Sequence, residues 1–138
     1  MGNVVVIGSF MADLMSRTPH IPKPGETVIG GPFKLGPGGK GANQAVACSR
    51  LGGNVWFVGS IGSDYFGDIA KDNFKSNKIH IDFLQRISDL HSGIALIGVS
   101  DKTGENLIIA APGANHSISK KQVDLALKSI KDIDIVLV

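Results

Sequence analysis

The chain has 138 residues, 43% hydrophobic and 19% charged, with a formal net charge of +2. That size and mix suit one globular domain with one core and argue against wholesale disorder. No basic face or stripe marks a nucleic-acid binder, and no apolar run reaches the length of a membrane span. The start lacks the basic region and cleavage pattern of a secretory signal, and Val6 stands where a myristoylation signal needs Ser or Thr. A cytoplasmic setting is therefore expected. The single cysteine, Cys48, reads as a small apolar residue of a helix face. Asn115-His116-Ser117 matches a glycosylation sequon, but without a secretory signal the match reads as accidental.

Residues 3–8 (NVVVIG) form a β-branched run that predicts a buried parallel strand. Residues 9–26, with three prolines, are expected as loop, and 27–34 as short strands broken at Gly30-Gly31-Pro32. A glycine-rich loop follows at 36–41, then a helix over 42–51 ended by Gly52-Gly53. Residues 54–61 predict a second buried strand, and Asp64 is placed to cap a helix over 66–77. A strand is expected at 81–87. Two more, at 93–99 and 106–111, are joined by Asp101-Lys102-Thr103-Gly104 as a hairpin. Ser119-Lys120-Lys121-Gln122 is a capping box opening a helix to about residue 131, and 134–138 is again an apolar strand. The alternation of strand and helix argues an α/β fold around a parallel sheet, interrupted by the 93–111 hairpin. A buried parallel strand needs neighbours on both sides. The apolar strand at the end of the sequence is therefore read as belonging to a longer chain, of which these residues are a fragment.

The run Gly36-Pro37-Gly38-Gly39-Lys40-Gly41 has the form G-x-G-x-x-G. A dinucleotide fingerprint follows directly on a strand, whereas the first strand here ends at Gly8. No acidic residue closes the next strand. A P-loop fails outright, because Lys40 is followed by Gly41 instead of Ser or Thr. Glycines ahead of a helix leave backbone amides free and admit a ligand close to the main chain. Lys40 and Asn43 would flank such a ligand with a cation and a side-chain amide. The spacing alone leaves open a turn that only permits tight helix packing. The histidines are scattered without metal-ligand spacing, and Asp64 reads as a helix cap instead of a catalytic group.

Five segments in order resemble the ribokinase (PfkB-type) carbohydrate kinases. They are Gly8-Ser9-Phe10-Met11-Ala12-Asp13, Pro24-Gly25-Glu26-Thr27, Gly38-Gly39-Lys40-Gly41-Ala42-Asn43-Gln44-Ala45, Gly62-Ser63-Asp64-Tyr65-Phe66-Gly67 and Gly113-Ala114-Asn115. The resemblance covers essentially the whole chain. It implies a ribokinase-like α/β fold, a truncated parallel sheet flanked by helices, with a small β-sheet lid built from about 25–35 and 93–111. By this resemblance residues 1–138 would be the amino-terminal part of that one domain, its carboxy-terminal half being absent. By the same resemblance Asp13 bonds neighbouring sugar hydroxyls, and Met11, Ala12, Gly39, Lys40, Gly41, Ala42 and Asn43 complete the substrate cradle. Many relatives carry Asn where this chain has Met11, which offers an apolar contact and no donor. Ala95 and Ile97 would cover the sugar from the lid, with plain strand packing as the alternative.

The implied activity of the complete protein is ATP-dependent phosphorylation of ribose to ribose 5-phosphate. ATP, Mg2+ and a monovalent cation such as K+ are the implied cofactors, and a homodimer through the lid the implied assembly. The family's catalytic Gly-Ala-Gly-Asp helix start is absent from this sequence, so the chain by itself is expected to hold no catalytic residue and to be inactive. Kinases of fructose, a keto-deoxy acid or a nucleoside such as adenosine are the alternatives within the family. A non-catalytic sugar-binding module and a nucleotide-binding domain are the alternatives outside it.

Overall fold

The computed structural model describes residues 2–138; Met1, where the expected domain begins, lies outside them. The first apolar run becomes β1 (Asn3–Ile7). It lies inside a wholly parallel four-stranded sheet with β4 (Asn54–Gly62) on one side and β8 (Ile133–Leu137) on the other. Beyond β4 lies β5 (Leu84–Ile87), so that β5 and β8 are the two outer strands. The run is continuous because both of its faces are covered. Val4 and Val6 join Val55, Phe57 and Ile61 in one core with Ala42 and Ala45 of α1 (Lys40–Arg50) and Ala70 and Phe74 of α2 (Tyr65–Ser76). Val5 and Val58 face the other way, onto Ala126 of α3 (Lys120–Ser129) and Ile130. Phe74 binds the first core together, its ring stacked 4.4 Å from Phe57 and edge-on to Phe10 at 6.1 Å.

A second four-stranded sheet has the order β3 (Phe33–Gly38), β2 (Met11–Thr18), β6 (Ile94–Ser100), β7 (Asn106–Ala111). The hairpin expected over 93–111 is present, with Ile94 opposite Ala111 and Val99 opposite Asn106. The rest of this sheet departs from the sequence reading. Residues 11–18, expected as loop, are one of its two inner strands, parallel to β6 and antiparallel to β3. Asp13, Ser16 and Arg17 blur the apolar alternation that would have marked it, and hydrogen-bonding partners on both edges override that weak local signal. Residues 27–32 are not strand. The second segment of this sheet begins only at Phe33 and runs into the glycine loop as far as Gly38, so the expected boundary of 25–35 is corrected to 33–38. The intervening loop is held by the Gly31 N–H on the Arg17 carbonyl at 2.7 Å and a turn from Lys23 to Glu26.

The helices keep their expected places with small shifts. Asp64 caps α2 by accepting the Gly67 N–H at 2.8 Å, and the capping box of Ser119 and Gln122 opens α3. α3 ends at Ser129, short of residue 131, because Ile130 is already extended and Asp132 turns the chain with φ 52° into β8, which starts at Ile133. β5 starts at Leu84 instead of residue 81, and a short 3-10 turn, Gly113–Ser117, follows β7. No helix among the described residues is long and apolar enough to cross a membrane.

Candidate functional site

In a parallel sheet ligands gather at the carboxyl ends of the strands, where loops and helix starts converge. Here β1 ends at Ile7 and the chain passes through Gly8-Ser9-Phe10 into β2, leaving one sheet for the other. Phe10, 1% exposed, anchors the crossing in the core. Alternation along β2 then buries Ala12 and turns Met11 and Asp13 to the opposite face, toward a cleft of about 480 Å3 between the second sheet and the start of α1. Lys40 and Asn43 from the start of α1 form its floor with Ser9. Ala95 and Ile97 of β6, with Ile108 and Ala110 of β7, form its apolar wall.

The glycines explain how these groups come so close. A Cβ on Gly38 would fall onto the Asp13 carboxylate, which reaches it diagonally from β2, where Asp13 pairs with Gly36 and Met11 with Gly38. Gly39 has φ 95°, and a Cβ there would stand 2.7 Å from the Ser9 carbonyl oxygen and 2.8 Å from the Met11 nitrogen. The helix therefore starts directly against the crossing segment. The Ala42 N–H donates to the Ser9 carbonyl at 3.1 Å and the Asn43 N–H to the Gly39 carbonyl at 2.9 Å. Helix geometry leaves the amides of Lys40 and Gly41 outside the intrahelical ladder, at the positive end of the helix dipole.

Asp13 is the chemically unsettled group. Burial raises the pKa of its carboxyl above its ordinary value, and among the described residues no hydrogen bond or neighbouring charge offsets that. Neither Asp13 nor Lys40 takes part in an ion pair among the described residues. A desolvated carboxylate without a partner is an acceptor awaiting a donor. Hydroxyl groups supply donors without bringing a charge, and the adjacent apolar wall suits the C–H side of a small polyol.

Of the residues singled out from the sequence, Met11, Asp13, Gly39, Lys40, Asn43, Ala95 and Ile97 are brought together around this cleft. Ala12, Gly41 and Ala42 are not on its surface. Ala12 is fully buried, Ala42 is 2% exposed, and Gly41 packs backbone to backbone on Gly8, so these three support the cleft from beneath. Asn115 also lines the cleft, although the sequence marks it only as part of a turn and a sequon. Its partner Phe10 is 105 residues away in sequence, so no local pattern marks it.

Asp64 lies outside the cleft. Burial raises its pKa, but the Ser92 hydroxyl at 2.6 Å and the N–H groups of Ser92 and Gly67, both at 2.8 Å, outweigh that and hold the carboxyl below its usual range. It is a structural clamp between α2 and the start of β6. A second hollow of about 530 Å3 lies at the other end of the parallel sheet, by Asn3 and Asn54. Those side chains are already bonded to each other at 2.9 Å. Among the described residues no three His, Cys, Asp or Glu side chains are grouped to hold a metal.

Comparison with known proteins matches this arrangement. The pfkB family carbohydrate kinase model matches residues 1–138. The chain is 41% identical to the ribokinase of Bacillus subtilis over 138 residues, all of this chain and 46% of that protein. It is 36% identical to the deoxyribokinase of Salmonella typhi over 135 residues, 98% of this chain and 44% of that protein. The structure of Arabidopsis thaliana ribokinase complexed with ribose and ATP superposes with a TM-score of 0.81 at 28% identity, covering 98% of this chain and 44% of that one. The chain thus spans less than half the length of these relatives, and its parallel sheet and second, mixed sheet are those of the ribokinase-like fold. The chain belongs to the pfkB family of carbohydrate kinases.

Proposed function

We propose that this chain forms the sugar-binding part of an ATP-dependent pentose kinase, with D-ribose as its substrate and the 5-hydroxyl as the phosphate acceptor. The observation that carries the reading is the unpartnered, partly desolvated Asp13 beside Lys40 and Asn43 in a cleft with one apolar wall. In this reading Asp13 accepts two sugar hydroxyls in a fork. The start of α1 meets the oxygens on the other side of the ring, and Ala95 and Ile97 cover its C–H face. The second sheet acts as a lid that excludes water from the reacting hydroxyl.

ATP belongs to the reading through a relative whose structure was solved with ribose and ATP; Mg2+ and K+ belong to it only by the family resemblance. Among the described residues no three His, Cys, Asp or Glu side chains are grouped to hold a metal, and no step is assigned to one; because the family's Gly-Ala-Gly-Asp helix start does not occur in these 138 residues, they alone are expected to turn over no sugar. Alternation along the lid puts Leu96, Leu107 and Ile109, each roughly half exposed, on the face away from the cleft. A homodimer formed through this sheet would cover them. The reading is of a cytoplasmic enzyme.

The test is ribose-dependent ADP release by the complete protein that carries this chain, beside its Asp13→Ala variant. Hydrogen bonds to a charged group are worth roughly 1.5–3 kcal/mol each, so loss of two lowers kcat/KM by about a hundredfold or more. Good phosphorylation of fructose with poor use of ribose, or an Asp13→Ala enzyme as active as its parent, overturns the reading.

A further inference from the structure

We propose that Asn115 is a positioning residue of the sugar site, acting as a clasp that sets Met11 and Asp13 against the covering strands. Its side-chain amide pairs with the main chain of Phe10 on both sides. The Phe10 N–H donates to Asn115 Oδ1 at 3.1 Å, and Asn115 Nδ2 donates to the Phe10 carbonyl at 2.9 Å. The second Nδ2 hydrogen goes to the Pro112 carbonyl at 2.8 Å, and the Met11 sulfur lies 3.6 Å from the same nitrogen. Both donors of the amide are thereby engaged with protein, and the side chain does for Phe10 what a neighbouring strand would do. It does so where Phe10 has left one sheet and not yet entered the other: β1 ends at Ile7 and β2 begins at Met11.

The clasp also joins the two halves of the cleft. Asn115 follows directly on β7, through Pro112 and the 3-10 turn, so the amide ties the end of one covering strand to the start of the strand that carries Asp13. The start of the other covering strand meets the same point. A Cβ on Gly93 would run into Asn115 Nδ2, the Phe10 carbonyl and the Met11 sulfur together. Three elements from distant parts of the sequence converge on one amide, and the cleft between them is the volume a sugar would fill. The inference rests on the sugar-kinase reading and assigns within that site the residue that sets its geometry.

Asn115→Asp keeps the shape and replaces the Nδ2 nitrogen, with both its N–H donors, by one oxygen facing the carbonyls of Phe10 and Pro112. Asn115→Ala removes the clasp without repulsion. Steady-state kinetics of the complete enzyme, melting temperature and pH profile are the measurements. In whichever variant melts within a few degrees of the parent, the KM for ribose rises at least tenfold while the KM for ATP stays within twofold. Asn115→Asp recovers toward the parent as the pH falls, because a protonated carboxyl again donates to one carbonyl. Unchanged ribose KM in a folded variant overturns the proposal. So do parallel losses for both substrates, or two variants that fail to fold, each of which makes the amide structural only. A parent enzyme without ribose-dependent turnover removes the sugar-kinase reading and this proposal together, whereas an active parent with an indifferent Asn115 removes this proposal alone.

Discussion

Gly8 at the end of β1 and Gly41 in the first turn of α1 meet backbone to backbone. A Cβ built on Gly41 would stand 2.8 Å from the Cα of Gly8, and one on Gly8 would stand 2.9 Å from the Cα of Gly41. Ordinarily Gly→Ala inside a helix stabilises by roughly 0.5–1 kcal/mol. Here the added methyl meets main chain that cannot swing aside, so the sign reverses. Gly41→Ala is expected to destabilise the complete protein by about 1–3 kcal/mol and to displace Lys40 and Asn43 from the crossing segment. Urea denaturation gives the first quantity and ribose affinity the second. A more stable Gly41→Ala protein with unaltered ribose affinity contradicts the packing described.

Asp13 predicts a trade between stability and binding. Its folded pKa is raised above the unfolded value by desolvation, so the folded state holds its proton more tightly. This contribution to stability therefore falls as pH rises from the unfolded toward the folded pKa. The penalty is full above the folded pKa, hence at neutral pH. Asn at position 13 removes the charge and the penalty with it. Asp13→Asn is expected to melt above the parent at pH 7, by an amount that shrinks as the pH approaches 3, while losing ribose affinity. Melting curves at the two pH values check it; a lower melting temperature for Asp13→Asn at pH 7 disproves it.

Asp64 has the opposite sign. Its folded pKa is depressed by hydrogen bonds from Ser92 and Gly67, against the effect of burial. Its contribution is present above the unfolded pKa and disappears as the pH falls through the folded one. Asp64→Ala removes the α2 cap and the anchor of Ser92, a loss of about 1–2 kcal/mol by the scale of helix caps. The difference from the parent should narrow on acidification below pH 4. A difference that does not vary with pH places the effect in packing instead of charge.

Gln122 does more than close its capping box. At 4% exposure its Nε2 donates to the carbonyls of Gly59 at 2.7 Å and Phe83 at 2.8 Å, tying α3 to β4 and to the segment before β5. Gln122→Ala leaves two carbonyls without their donor, and each buried group left unpaired costs roughly 1–3 kcal/mol. A loss of at least about 2 kcal/mol is expected, well beyond that of an exposed helix position. Equilibrium unfolding of the variant measures it, and a loss under 0.5 kcal/mol, the usual range for surface substitutions, excludes the bridge.

What the sequence determined by itself is local in origin. The β-branched run of Val4, Val5 and Val6 demands a strand covered on both faces. Ser119 and Gln122 meet within one helical turn, and Asp64 caps the helix it precedes. The turn at 101–104 pairs its flanking strands with each other. The resemblance likewise rested on short contiguous segments, and it named Asp13, Lys40 and Asn43 from their surroundings in the chain. The tertiary structure decided whatever depends on partners far apart. Residues 11–18 are a strand only because β3 and β6 flank them, and a Cβ at Gly38 meets the Asp13 carboxylate only because β3 lies beside β2, where Asp13 pairs with Gly36 two residues along. The Gln122 bridge reaches 63 residues back to Gly59, and the Asn115 clasp 105 residues back to Phe10. Hydrogen bonds of that kind follow from where the backbone has already been brought, and side-chain periodicity carries no trace of them.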